Sequence, residues 1–160
     1  MLNQLRLPLF FLLLLVSFRG NAQWEDISPI ASTNAIAAWS DVRAVACSTN
    51  QLYYTENGGR EWLRSQLVFS ITGGNISIQS VGFVDSLTVV ATGFVTNASS
   101  QTSSLVLRSV DGGKSFVRIP VGINSTLKVQ TFSSDTVLAY SGFRILRSTD
   151  KGASWVNVPN

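Results

Sequence analysis

The fold class this sequence predicts is all-β, built from repeated four-stranded antiparallel units, and three observations carry the prediction. A strand-turn-aromatic segment occurs three times without gaps. An alternating hairpin stands upstream of each copy. The aromatics Trp24, Trp62, Phe116 and Trp155 follow one another at intervals of 38, 54 and 39 residues, so the unit is about 40 residues with one long copy.

Residues 1–22 begin with a polar start and Arg6, continue through an apolar run over 7–18, and end Arg19-Gly20-Asn21-Ala22. That is the layout of a secretory signal peptide, with Gly20 and Ala22 at the small-residue positions of a cut before Gln23. A membrane-spanning helix wants about 20 apolar residues, more than this run holds. The expectation is a cleaved leader and a mature chain, 23–160, that is secreted, periplasmic or at the cell surface and does not span the membrane. The sequons at Asn75, Asn97 and Asn124 all fall in predicted loops.

The mature chain then opens with Trp24-Glu25-Asp26-Ile27-Ser28-Pro29, which reads like Phe116-Val117-Arg118-Ile119-Pro120 and Trp155-Val156-Asn157-Val158-Pro159. Each is an outer strand ending at proline, and 24–29 is one without a unit of its own. Three whole units follow, over 34–66, 78–120 and 127–159, each with strands A to D. Strand A to strand B is clearest in the third: Leu127-Lys128-Val129-Gln130-Thr131-Phe132 alternates, Asp135 lies in the turn, and Val137-Leu138-Ala139-Tyr140 returns. Phe83, Asp85 and Val89 mark the same step in the second unit, and Trp39, Asp41 and Val42 mark it in the first.

The C to D turns share the pattern [ST]-x-[DN]-x-G-x-[SE]-[WF]. Their residues are Thr55, Asn57, Gly59 and Trp62; Ser109, Asp111, Gly113, Ser115 and Phe116; and Ser148, Asp150, Gly152, Ser154 and Trp155. A short acidic or amide side chain can accept hydrogen bonds from backbone N–H groups just ahead of it. The glycine two residues later can take the positive φ of a tight hairpin. The aromatic opens the next strand and covers the turn. These residues are read as turn staples. The first copy departs from the others at Thr55, Asn57 and Glu61, and is expected to be degenerate.

Composition removes several functions. The formal charge is +3, and two of the twelve basic residues, Arg6 and Arg19, lie in the leader, leaving ten against nine acids. That balance gives no electrostatic case for nucleic acid as partner. With no histidine and one cysteine, Cys47, the sequence holds no His-based triad, no CxxC motif and no internal disulfide. Cys47, at the end of a B strand, is expected to be a small buried hydrophobe. No cofactor, metal or catalytic residue is expected.

On these residues the chain resembles the Asp-box (BNR) repeat β-propellers, a superfamily that includes sialidases, xyloglucan-degrading glycosidases, sortilin-type ectodomains and the photosystem II assembly and stability factors. The phrase F-x-D-x-x-x-V followed by L-R-S-x-D-x-G-x-S-[WF] is most similar to the last of these. The resemblance covers residues 24–159 and implies four-stranded blades in an incomplete ring, three blades plus one N-terminal strand. It implies no activity, because the boxes lie away from the ligand face. Phe116-Val117-Arg118-Ile119-Pro120 only imitates the Phe-Arg-Ile-Pro motif of sialidases, with a valine inserted. Apart from the turn acids, only Glu25 and Asp26 remain, and neighbours on one strand point to opposite faces. They cannot flank a glycosidic bond as a carboxylate pair must.

The reading that follows is an exported, non-catalytic propeller-type module binding protein or glycan through its loops. The alternative is a fragment of a larger Asp-box protein, glycosidase-like or an adhesin, without the catalytic residues. Blade two owes its extra length to residues 65–77 and 93–104, both on the face opposite the boxes, and these are either interaction loops or tolerated insertions. Phe94, Asn97, Gln101, Phe143 and Arg144 are the candidate ligand residues there; Phe94 and Phe143 follow equivalent glycines, Gly93 and Gly142, at the B to C turns, and either pack the rim or stack on a ligand. Blades that normally pack on neighbours leave apolar flanks, so self-association to close the ring is also expected.

Overall fold

A computed structural model describes residues 32–70, 74–132 and 135–159. The leader and the strand expected over 24–29 lie outside the described residues.

The described chain is all-β: β1 (Ala35–Ala38), β2 (Ala44–Cys47), β3 (Leu52–Thr55), β4 (Leu63–Arg64), β5 (Gln66–Leu67), β6 (Asn75–Phe83), β7 (Val89–Thr96), β8 (Thr102–Ser109), β9 (Ser115–Arg118), β10 (Lys128–Thr131), β11 (Val137–Tyr140), β12 (Ile145–Ser148) and β13 (Val156–Val158). Three sheets result, ordered β1-β2-β3-β4, β5-β9-β8-β7-β6 and β10-β11-β12-β13. Each contains an antiparallel four-stranded meander, a blade, and β6 packs between the inner strands β1 and β10.

The blades are in register residue for residue. One cross-strand row reads Ile36, Ala46, Tyr53, Arg64 in blade one. Its counterparts are Val81, Ala91, Leu107, Arg118 in blade two and Val129, Ala139, Leu146, Asn157 in blade three. The adjacent row points to the other face and reads Val45, Tyr54, Leu63; Val90, Arg108, Val117; and Leu138, Arg147, Val156. The first row is the leading face of each blade and the second its trailing face.

Two cores follow from this alternation. Val45, Cys47 and Leu52 of blade one pack on Val81, Ala91, Leu107 and Phe116 of blade two. Val90 and Val106 of blade two pack on Val129, Val137, Ala139 and Leu146 of blade three, with Trp155 against them. Each junction therefore joins a trailing face to a leading face. Fully burying one such side chain is worth roughly 1.5–3 kcal/mol, so these two seams hold the blades together. Cys47 is buried here as a free thiol, and burial pushes its pKa up to about 11.

Blade two differs from its expected layout. Residues 93–104 are largely strand: β7 and β8 pair from Val89↔Ser109 to Thr96↔Thr102, leaving only 97–101 as the turn. Strand β6 starts at Asn75, so that sequon lies in a strand and not in a loop. Residues 66–67, expected in blade one and its loop, instead pair in parallel with β9 of blade two. Buried Ser65 fixes this crossing by donating from Oγ to the Gly113 carbonyl at 2.6 Å.

Gly93 and Gly142 are not equivalent. Gly93 sits inside β7 opposite a bulge at Ile78/Ser80, where a Cβ would collide with the Ser77 carbonyl oxygen. Gly142 lies in open space.

Candidate functional site

The C to D turns are built alike. Ser148 Oγ donates to Asp150 Oδ1 at 2.7 Å and accepts from the N–H of Gly152 at 2.7 Å; Asp150 Oδ1 accepts the Ser154 N–H at 2.9 Å, and Oδ2 accepts the Ser154 hydroxyl. Ser109, Asp111, Gly113 and Ser115 repeat the pattern. Thr55, Asn57 and Gly59 repeat most of it, with Asn57 Oδ1 accepting from Thr55 Oγ1 and from the Glu61 N–H. Gly59, Gly113 and Gly152 have φ of 83°, 94° and 81°. The Ser154 hydroxyl and N–H hold the Asp150 carboxyl down at about 2. Partial burial works to raise Asp111, and the Ser115 and Ser109 hydrogen bonds outweigh it. Both carboxylates are thus committed to hydrogen bonds within their own turns.

Each turn is also tied to the A to B turn of its own blade: Gly58 N–H donates to Val42 O at 2.9 Å, Gly112 N–H to Leu87 O at 2.8 Å, and Lys151 N–H to Asp135 O at 2.9 Å. One end of the molecule is therefore a continuous belt of turns.

At the inner margin of that belt lies a cleft of about 810 Å³, walled by the ends of the three A strands. Trp39, Phe83 and Phe132 line it, with Asp85, Asp135 and Lys151 beside them. Trp39 and Phe132 are 47% and 48% exposed, large aromatic surface left open to a ligand. Trp39 and Phe83 meet with ring centroids 6.3 Å apart and tilted by 42°. Lys151 Nζ bridges Asp85 Oδ2 at 3.0 Å and Asp135 Oδ1 at 3.5 Å. Partial burial tends to raise Asp85, yet the Leu87 and Thr88 N–H groups, Thr88 Oγ1 and Lys151 hold it well below the usual carboxylate range. Lys151, hydrogen-bonded to Asp85, is raised in turn. The charges satisfy one another, so what the cleft offers a ligand is aromatic surface with a polar margin.

The sequence pointed to the opposite end, and the structure does not bring those residues together. Phe94 lies within β7, half-buried and paired between Ser77 and Ser104. Asn97 spends its side chain inside its own turn, accepting from the Ser99 and Gln101 N–H groups and donating to Gln101 Oε1. Phe143, 88% exposed, and Arg144 line a separate hollow of about 400 Å³ with Asn157 and Val158. Sequence reasoning missed Trp39, Phe83 and Phe132 because each reads as the last apolar residue of an inner strand. The available signal was an aromatic just past the inner strand in blades one and three, Trp39 and Phe132, where blade two has Val84 and carries its aromatic, Phe83, one position earlier.

No family model matches this chain, and no curated protein matches it. Among solved structures it is similar to YCF48 bound to D1 peptide (TM-score 0.57, 18% identity, covering 79% of this chain and 39% of that one). It is also similar to an ancestral GH74 enzyme (TM-score 0.55, 16% identity, 80% and 18% covered). A third match is YCF48 from Cyanidioschyzon merolae (TM-score 0.51, 15% identity, 81% and 41% covered). The likeness shows the fold: all-β and propeller-like, with three blades among the described residues. The chain spans less than half the length of each of these proteins.

Proposed function

We propose that this chain is an exported, non-catalytic propeller module that binds an extended peptide segment of a protein partner in the cleft between Trp39, Phe83 and Phe132. The observation carrying the reading is the pair of exposed aromatics, Trp39 and Phe132, at the cleft where three A strands converge, with buried Phe83 packed against Trp39. Peptide recognition by YCF48, a protein of similar fold, supports the choice of peptide over glycan. A non-catalytic role is supported by the sequence, which holds no histidine, and by carboxylates that are held in turns and ion pairs. The turns at Asp111 and Asp150 are proposed as Asp boxes, with Asn57 in a variant one. Export is proposed on residues 1–22 and is tested by N-terminal sequencing of secreted protein: a start at Gln23 supports it and a retained Met1 overturns it.

Peptide and glycan arrays probed with the purified protein test the ligand class. Trp39→Ala and Phe132→Ala should each weaken capture of peptide hits about tenfold or more, as buried aromatic anchors do, with the melting curve preserved. Equal capture by both variants removes the cleft from the function. Capture lost on Phe143→Ala and Arg144→Ala instead would move the ligand to the other end of the blades, and glycan hits alone would change its class.

A further inference from the structure

The molecule shows twice how one of its blades receives the next. At the first junction Val45 lies beneath Gly113, where a Cβ would come 2.5 Å from Val45 Cγ2, and Lys114 Nζ stands 6.0 Å over the Tyr54 ring. At the second, Val90 lies beneath Gly152, with 2.7 Å to the corresponding Cβ position, and Arg108 Nε donates to the Lys151 carbonyl at 2.8 Å. A trailing apolar residue on strand B and a long side chain on strand C thus form the seat for the neighbour's glycine turn.

Blade three carries that seat a third time. Leu138 pairs with Arg147 as Val90 pairs with Arg108 and Val45 with Tyr54. Beside them Ile145 is 41% exposed, although its register equivalents Leu52 and Val106 are fully buried at the two junctions. Blade one carries the complementary half. Its leading row holds Ile36 and Tyr53 where blades two and three hold buried Val81 and Leu107, and Val129 and Leu146; Ile36 is 61% exposed. Gly59, at φ 83°, heads its turn.

We propose that a second copy of this chain occupies the seat. The Gly59 turn of one copy rests on Leu138, its Gly58 carbonyl accepts from Arg147, and Ile36 and Tyr53 cover Ile145. The occupant is set by the repeat: the only face shown to fit a trailing row is a leading row, and blade one presents one. Because the two faces differ, the contact is head to tail, and two copies close a ring of six blades through two identical seams. Six lies within the roughly 4–8 blades at which propellers close.

Light scattering on the purified chain between 1 and 100 µM tests this. The expected result is a dimer. Ile36→Asp and Ile145→Asp, both at exposed positions, should each give a monomer that keeps the wild-type circular dichroism and cooperative melt. Mixing the two variants should restore a dimer, since one wild-type seam remains between them. A monomeric wild type at 100 µM, a dimer that survives either substitution, or a mixture that stays monomeric overturns the proposal. This readout is independent of peptide capture, so either reading can fail alone.

Discussion

The turn over residues 148–155 and the turn over residues 55–62 have the same backbone built from different side chains. Both place a hydroxyl at the first position that accepts the glycine N–H, at 2.7 Å in blade three and 3.0 Å in blade one. Both place an oxygen two residues on that accepts the N–H four residues further, at 2.9 Å and 3.0 Å. They differ in the last bond, because Glu61 replaces the serine whose hydroxyl satisfies Asp150 Oδ2. They differ also before the glycine: blade three puts Lys151 at φ 58° where blade one has Gly58 at φ 71°. The lesson is that two acceptors and one glycine make the turn. The departures that marked the first copy as degenerate remove one hydrogen bond and leave its shape intact.

If the glycine is the indispensable part, breaking it should have the largest effect. Gly113→Ala imposes left-handed strain at φ 94° and drives a methyl to 2.5 Å from Val45 Cγ2. Strain of about 1–2 kcal/mol and overpacking of about 1–3 kcal/mol predict a loss near 3 kcal/mol. Gly112→Ala next door has φ 76° but its methyl would meet only Ser86 O at an ordinary 3.8 Å, so a loss of about 1 kcal/mol is expected. Urea denaturation of the pair measures the difference. Equal losses would show that the seam between blades tolerates the methyl and that strain alone selects glycine.

Removing the side-chain acceptor should come second. Asp150→Ala frees the Ser148 hydroxyl together with the N–H and hydroxyl of Ser154, and a loss of about 1–2 kcal/mol follows from groups that water can partly satisfy. Asn57→Ala frees only the Thr55 hydroxyl and the Glu61 N–H, so it should cost about half as much. An Asn57→Ala variant as unstable as Asp150→Ala would mean that the missing seryl bond contributes nothing.

This hierarchy bears on what the sequence could disclose. The turns were legible because their hydrogen bonds are local: Ser109, Asp111, Gly113 and Ser115 lie within seven residues, and local spacing encodes local bonds. The alternating A and B strands were legible for the same reason. The β5 to β9 pairing was not, because Gln66 meets Ser115 only after two blades are already stacked. Residues 93–104 read as a loop because serine, threonine and glycine are turn residues in isolation; opposite a paired strand, Thr102 and Ser103 are ordinary ladder positions. The aromatic cleft escaped for a third reason. It belongs to no single blade: exposed Trp39, resting on buried Phe83, and exposed Phe132 come to one cleft only when three strands meet.

The smallest expected effect separates the two turns by pH. Asp150 titrates at about 2 in the folded chain, below the roughly 3.9 of an unfolded aspartate. Its folded pKa is lowered, so the stability it contributes is present above about 4 and lost as pH falls toward about 2, where the unfolded chain binds the extra proton first. Asn57 holds the equivalent place in blade one and has no proton to gain. Asp150→Asn should therefore keep the Ser154 N–H bond, as Asn57 keeps that of Glu61, and make the fall in urea midpoint between pH 4 and pH 2 shallower than in wild type. Asp85 and Asp111 are lowered too, so the acid limb should shrink and not vanish. Parallel limbs in the two proteins would mean that the seryl hydroxyl bond does not hold the Asp150 carboxylate, and that the turns of blades one and three differ in composition alone.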